Sequence, residues 1–147
     1  MSFLDSWSPR LLALLRVVAG LMFFEHGCMK ILHFPAGMAM SLPPLLMAAG
    51  VIELVAGALI VLGLFTKPAA FIASGETAVA YFGYHVTGAL GMGAMPGMVR
   101  GWNPASNGGA EVALYAVIFL YIASAGAGAY ALDSMVGKKR GLEAASA

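Results

Sequence analysis

One glutamate falls within each of four apolar stretches of this sequence, at Glu25, Glu53, Glu76 and Glu111. The same stretches hold further ionisable side chains, namely Arg16, His26, Lys30, His33 and His85. Carboxylates, imidazoles and amines can exchange protons, form ion pairs or bind metal ions. The chemistry open to this chain therefore depends on which of these side chains the fold brings together.

The composition indicates a protein that resides in a lipid bilayer. Hydrophobic residues make up 61% of the 147 residues and charged residues only 10%, whereas soluble domains are usually about 25% charged. The net charge of +1 and the lack of a basic stripe give no reason to expect a nucleic-acid partner. The single cysteine, Cys28, excludes an internal disulfide and is expected to be a small buried residue.

Four apolar segments are each close to the length of about 20 residues that a helix needs to cross a bilayer. The predicted spans are residues 10–33, 45–65, 69–86 and 110–132, and a long loop at 87–109 offers a lid or a partner surface. The links between the other spans are short. This pattern predicts an all-α fold, an integral membrane four-helix bundle with up-down topology.

Basic residues flanking the spans predict the orientation. One side collects most of them, namely Arg10, Lys67, Lys138, Lys139 and Arg140. Only Arg100 flanks the other side. Because cytoplasmic loops carry an excess of lysine and arginine, we expect cytoplasmic N- and C-termini and a multi-pass protein of the inner membrane.

Depth along the predicted helices divides the ionisable residues into two layers. At about 1.5 Å per residue, the outer half holds a candidate polar cluster of Glu25, His26, Lys30, Glu53, His85 and Glu111. Glu76 falls about 10 Å above the cytoplasmic end, near Arg16, which predicts a buried Arg16–Glu76 ion pair. Rotation places Glu25 on roughly the opposite side from Arg16 and Lys30. Ideal helices therefore cannot gather every ionisable group into one site.

Four interpretations of these residues stay open. A four-helix metal site normally includes Glu-x-x-His pairs, which the sequence lacks, so no metal ligand is assigned. A histidine and a carboxylate could instead exchange protons with a quinone, although the sequence identifies no cofactor and no catalytic residue. Intramembrane acids can also mark a proton or solute path. Finally, the polar groups could form a buried network that only fixes helix pairing.

Four stretches, in order along the chain, resemble the DoxX family of small four-span membrane proteins. They are LLRVVAGLMFFEHGCMKILHFP (14–35), GVIELVAGALIVLGLFTKPAAF (50–71), GETAVAYFGYH (75–85) and NGGAEVALYAVIFLYIASAGAGAYALD (107–133). The first contains a His-Gly-x-x-Lys signature at His26, Gly27 and Lys30. The chain departs from the family pattern in the long loop, which is extended by GALGMGAMPGM, and in the alanine between Gly109 and Glu111.

The resemblance implies a membrane fold and an association with membrane oxidoreductases, among them a thiosulfate–quinone enzyme, and with oxidative-stress complexes. It carries over no catalytic residue. We therefore expect a subunit or accessory of a quinone-linked membrane oxidoreductase complex, with other membrane subunits or further copies of this chain as partners. The alternatives are a non-catalytic structural subunit of a larger complex and a small channel or carrier.

Overall fold

Helices account for all the regular secondary structure in the computed structural model, which describes residues 2–35 and 42–135. The α-helices are α1 (Ser2–Asp5), α2 (Ser8–Gly27), α3 (Pro44–Leu62), α4 (Thr66–Ala80) and α5 (Ala110–Ala125). Helix α2 continues into a π-helical turn, Cys28–Leu32, and α4 continues into a second one, Tyr81–Val86. The prediction of an all-α fold is confirmed for the described residues, whereas Lys138, Lys139 and Arg140 lie outside them.

The four long helices pack in chain order around one core. Helix α2 packs against α3, α3 against α4 and α4 against α5, and the rings of Phe23 and Phe119 bring α5 back onto α2 with 4.9 Å between their centroids. The buried core cluster consists mostly of alanines and aromatic residues: Ala19, Phe23, Ala56, Ile60, Ala69, Ala70, Ala73, Tyr115, Phe119 and Ile122. Alanine at half of these positions lets the helices approach closely.

Two helical segments are long and apolar enough to cross a bilayer, Ser8–Leu32 with 25 residues and Pro44–Leu62 with 19 residues. The outer faces of the bundle carry large apolar side chains, for example Leu14, Val55 and Val117. Helix α5 is a shorter apolar helix. It ends at Ala125, before the predicted boundary at residue 132, because Gly126 and Gly128 adopt positive φ angles of 92° and 69°.

The backbones of α2 and α3 touch through glycines on both helices. A Cβ atom on Gly57 would lie 2.7 Å from the amide nitrogen of Phe24, and one on Gly27 would overlap the backbone of Leu54. These contacts run in opposite directions along the two helices, so α2 and α3 are antiparallel. Glycine is required at these positions because no larger residue permits this backbone separation.

Replacing Gly57 by alanine is expected to lower the melting temperature of the purified protein in detergent. The added methyl group must push α2 away from α3, and overpacking of this kind costs about 1–3 kcal/mol. Gly75→Ala is the matched control, because Gly75 has no neighbour within 4 Å of the added Cβ and alanine favours a helix by about 1 kcal/mol. Equal melting temperatures for the two variants would contradict the proposed backbone contact.

Candidate functional site

Lys30, Glu53 and Glu76 form a buried group of charged side chains, called here the buried trio. The Lys30 Nζ atom lies 2.5 Å from Oε1 of Glu53, and the two side chains are 15% and 7% exposed. Glu76 lies within electrostatic range of both partners. Within the part of the chain that the structure describes, Oε2 of Glu53 and Oε2 of Glu76 are buried and accept no hydrogen bond. The trio thus keeps unused acceptor capacity inside the bundle.

Local backbone structure brings Lys30 onto Glu53. Lys30 lies in the π-helical turn Cys28–Leu32, where wider winding changes the direction of each following side chain relative to an ideal α-helix. Gly50 of α3 leaves room for the lysine stem, since a Cβ atom there would lie 2.9 Å from Cβ of Lys30. A π-turn and a facing glycine together place the ammonium group beside the carboxylate.

The placement of Glu76 corrects the predicted depth of this residue. The prediction counted from residue 69, whereas α4 begins at Thr66. Glu76 therefore lies about 15 Å along its helix instead of about 10 Å. Glu76 is ten residues after the start of α4, and Glu53 is nine residues before the end of α3, so both lie at one level above the turn that joins these helices. Arg16 instead contacts the last carbonyls of α3, next to that turn.

Arg16 is buried at the opposite end of the bundle, and its predicted ion pair with Glu76 is wrong. The whole residue is 1% exposed. Its guanidinium group donates four hydrogen bonds to main-chain carbonyl oxygens, those of Ile60, Val61, Ala127 and Tyr130 at 2.6, 2.7, 2.8 and 3.3 Å. No carboxylate among residues 2–35 and 42–135 lies within ion-pair distance of it. The carbonyls at the end of α3 lack helical partners, and the fork of arginine donors can satisfy several of them at once.

A second polar group lies between α2 and α5, called here the surface group: His26, Glu111 and Tyr115. The Tyr115 hydroxyl donates to Oε1 of Glu111 at 3.0 Å, and Nε2 of His26 lies 4.0 Å from the same oxygen. Glu111 is exposed and His26 is partly exposed, whereas Tyr115 is buried and lies within electrostatic range of Glu53. The surface group therefore extends from the outer face of the bundle towards the buried trio.

Tyr115 was missed by the sequence reasoning, although it stands four residues after Glu111, a spacing that places both side chains on one helix face. Glu25, also predicted in the outer cluster, is exposed. Cys28 is buried, as predicted. No group of three or more histidine, cysteine or acidic side chains within the described residues is placed to hold a metal ion.

His85 belongs to a third arrangement that anchors the long loop. Its Nδ1 atom lies 2.8 Å from the carbonyl oxygen of Asn107. The fully buried Asn107 side chain donates to the Gly101 carbonyl at 2.7 Å and accepts from the Gly109 amide at 2.7 Å. A Cβ atom on Gly109 would lie 2.8 Å from the His85 ring. The six residues of the predicted outer cluster are thus divided among the buried trio, the surface group, the exposed Glu25 and this loop anchor.

Replacing Asn107 by alanine is expected to open the loop to proteases. The change leaves the Gly101 carbonyl and the Gly109 amide without their partner, and each unsatisfied buried group costs about 1–3 kcal/mol. Cleavage within residues 87–109 should accelerate by about tenfold or more, as measured by limited proteolysis. Asn103→Ala is the control, because the Asn103 side chain accepts one exposed hydrogen bond, from Ala105. Identical cleavage rates for the wild type and Asn107→Ala would show that Asn107 does not anchor the loop.

Asp133 follows α5 and binds the N-terminus of α4. Its two carboxylate oxygens accept hydrogen bonds from the amides of Phe65 and Thr66 at 2.7 and 2.9 Å. A carboxylate at a helix N-terminus also interacts favourably with the helix dipole. Burial acts to raise the pKa of Asp133, but these hydrogen bonds and the nearby Arg16 charge outweigh burial and hold the pKa below its ordinary value of 3.8.

The Asp133→Asn variant tests this contribution through its pH dependence. A lowered pKa in the folded state means that ionised Asp133 stabilises the fold at pH values above 3.8, and that this stability is lost as the pH falls through the folded-state pKa. At pH 7 the variant is expected to melt at a lower temperature than the wild type, and the gap should narrow below about pH 4. Thermal unfolding in detergent between pH 7 and pH 3 measures the gap, with Asp5→Asn on the exposed α1 as control. A gap of constant size would rule out the proposed role of the charge.

Comparisons with known proteins identify the family. The sequence profile of the DoxX family matches residues 11–86, which include most of α2, all of α3 and α4, and the π-turn that carries Lys30. An uncharacterized protein of Haemophilus influenzae is 43% identical over 143 residues, which cover 95% of this chain and 100% of the relative. No solved structure matches the chain. The chain belongs to the DoxX family and is a DoxX-like membrane protein.

Proposed function

We propose that this protein is a subunit or accessory of a membrane-bound, quinone-linked oxidoreductase complex, in which it transfers protons for a redox partner. The observation that carries the proposal is the buried trio, in which one ammonium group faces two carboxylates. Purely structural ion pairs in membranes are expected to balance their charges. An unbalanced group with unused acceptor atoms is suited to binding and releasing a proton.

The charge balance of the trio supports this role. If all three side chains were ionised, the trio would carry a net charge of −1 in a medium of low dielectric constant, where an uncompensated charge is costly. Uptake of one proton by Glu76 makes the trio neutral, while Lys30 stays paired with Glu53. Two charge states of comparable free energy are what a proton carrier requires.

The surface group provides the route between the trio and the outside of the bundle. The side chains of Glu111 and His26 are accessible from outside the bundle. The buried Tyr115 donates a hydrogen bond from its hydroxyl to Glu111 and lies within electrostatic range of Glu53, so it stands between the two carboxylates. A quinone held against this face by a partner subunit would supply the electron-accepting group. His26 and Glu111 would then orient it and relay protons to or from it, because imidazole and carboxyl side chains serve as general acids and bases in proteins.

The proposal includes the membrane topology. Four spans would place both termini in the cytoplasm of a cell whose inner membrane holds the protein, with Arg10 and Lys67 at the cytoplasmic face and Arg100 at the outer face. The third span would consist of α4 and the π-turn Tyr81–Val86. The fourth span would consist of α5 and the following residues up to 132. In this orientation the buried trio lies nearer the outer face, and the partner subunit would contact α2 and α5 there.

A structural subunit is the second candidate function, favoured by the short Lys30–Glu53 contact. An ion pair between two helices stabilises their pairing whether or not it turns over. The two functions predict different roles for Glu76, whose buried Oε2 atom accepts no hydrogen bond in the described residues. A structural subunit does not need its charge, whereas a proton carrier does.

Native purification followed by identification of co-purifying subunits and cofactors comes first, and the Glu76→Gln variant then tests the proton role. The variant keeps the shape of the side chain but cannot take up the proton, so turnover of the assembled complex is expected to fall by about 100-fold. Glu25→Gln is the matched control, because Glu25 is exposed at the same end of the bundle. It should leave turnover unchanged.

Equal turnover of wild type and Glu76→Gln, with the complex assembled, would overturn the proton role and establish the structural one. Proton or solute flux through liposomes that contain this chain alone would instead establish a channel or carrier. A complex without any quinone-linked activity would remove the redox assignment altogether.

A further inference from the structure

A cavity of about 320 Å³ opens at the end of the bundle opposite the buried trio. It lies where the first half of α2 meets the end of α3 and the segment after α5. Its lining combines two arginines and a tyrosine with an apolar wall: Arg10, Arg16, Tyr130, Leu14, Val17 and Val61. The mechanism proposed above makes no use of this cavity, so the inference is independent of it.

The charge of the cavity is positive and has no acidic counterpart in its lining. Arg16 is buried, and its hydrogen bonds go to neutral carbonyls. The carboxylate that interacts with it, Asp133, already accepts hydrogen bonds from two amides. A buried guanidinium group without an ion-pair partner favours an anion in the space beside it.

Arg10 supplies a second guanidinium group within reach of water. Its side chain is exposed and lies over the Trp7 ring, with 5.4 Å between the guanidinium carbon and the ring centroid. Tryptophan and arginine at the start of a spanning helix are typical of the headgroup region of a bilayer. Arg10 lies about 3 Å from the start of α2, whereas Arg16 lies about 12 Å from it. The cavity therefore begins at headgroup level and continues into the apolar layer.

Tyr130 lines the cavity from the segment after α5. It adopts a positive φ of 55°, which is uncommon for a residue other than glycine. In this conformation its carbonyl accepts a hydrogen bond from Arg16, while the residue remains 81% exposed. Leu14 and Val17 form the apolar side of the same cavity. An occupant therefore needs an anionic head and an apolar tail.

We propose that this cavity binds an anionic phospholipid through the phosphate of its headgroup. Arg10 pairs with the phosphate, because guanidinium groups bind phosphate oxygens through charge-assisted hydrogen bonds. The buried Arg16 adds to the positive potential, and the acyl chain lies along Leu14 and Val17. A free phosphate ion would satisfy the same two arginines but would leave the apolar wall without a partner.

Native mass spectrometry of the full chain in detergent tests the proposal with phosphatidylglycerol and phosphatidylcholine of identical acyl chains. Phosphatidylglycerol is expected to bind at least tenfold more tightly, because its headgroup has a net negative charge, whereas the ammonium group of choline neutralises the phosphate of phosphatidylcholine. Arg10→Gln should remove most of this preference and Arg10→Lys should retain part of it. Lys67→Gln is the matched control, because Lys67 is exposed and does not line the cavity.

Three results would overturn the proposal. The first is equal affinity for both lipids, and the second is an unchanged preference in Arg10→Gln when the melting temperature shows that the variant is folded. The third is displacement of phosphatidylglycerol by inorganic phosphate at equal concentration, which would assign the cavity to the free ion. Loss of the lipid preference in Arg10→Gln but not in Lys67→Gln, with no effect of inorganic phosphate, supports it.

Discussion

The arrangement of the bundle depends on how a guanidinium group is satisfied in an apolar interior. Arg16 projects from α2 and donates to the last carbonyls of α3 and to the segment after α5. It thereby joins three parts of the chain that are far apart in sequence. Asp133, in the same segment, binds the first amides of α4. The free carbonyls of one helix end and the free amides of the next helix start are therefore satisfied by one cation and one anion. Loss of either group would leave these main-chain polar atoms without their hydrogen-bond partners.

At the other end of the bundle, the ionisable side chains are placed by glycines and π-turns. Close contact of α2 and α3 at Gly27 and Gly57 fixes the distance between the two helices. The π-turn at the end of α2 then directs Lys30 towards Glu53. The second π-turn, at the end of α4, carries His85 to the loop anchor on Asn107. Each of the two π-turns thus carries an ionisable side chain to its partner. Short π-helical turns occur frequently at functional sites in proteins.

Two long apolar helices could be predicted from the sequence, because length and composition depend only on local residues. The helical segments Ser8–Leu32 and Pro44–Leu62 begin and end within about three residues of the first two predicted spans. Partners of the ionisable residues could not be predicted with ideal geometry. A start of α4 three residues earlier than expected moved Glu76 to another layer, and the π-turn changed the direction of Lys30. The carbonyl partners of Arg16 could not be predicted, because every residue has a main-chain carbonyl and the sequence does not show which of them are free to accept a hydrogen bond. Glu53 and Lys30, by contrast, were both expected in the outer polar cluster, and the structure brings them into contact.

The charged groups at the two ends of the bundle differ in how completely the protein satisfies them with hydrogen bonds and ion pairs. Arg16 uses four hydrogen bonds to hold three segments together, so it has little freedom to change its charge state. The buried trio contains an extra carboxylate and buried oxygens without hydrogen bonds in the described residues. A fully satisfied network resists change, whereas an incompletely satisfied one can accept a proton or a ligand at low cost. This contrast is why the proposed proton transfer is placed at the end that holds Lys30 and Glu76, and the proposed anion binding at the end that holds Arg16.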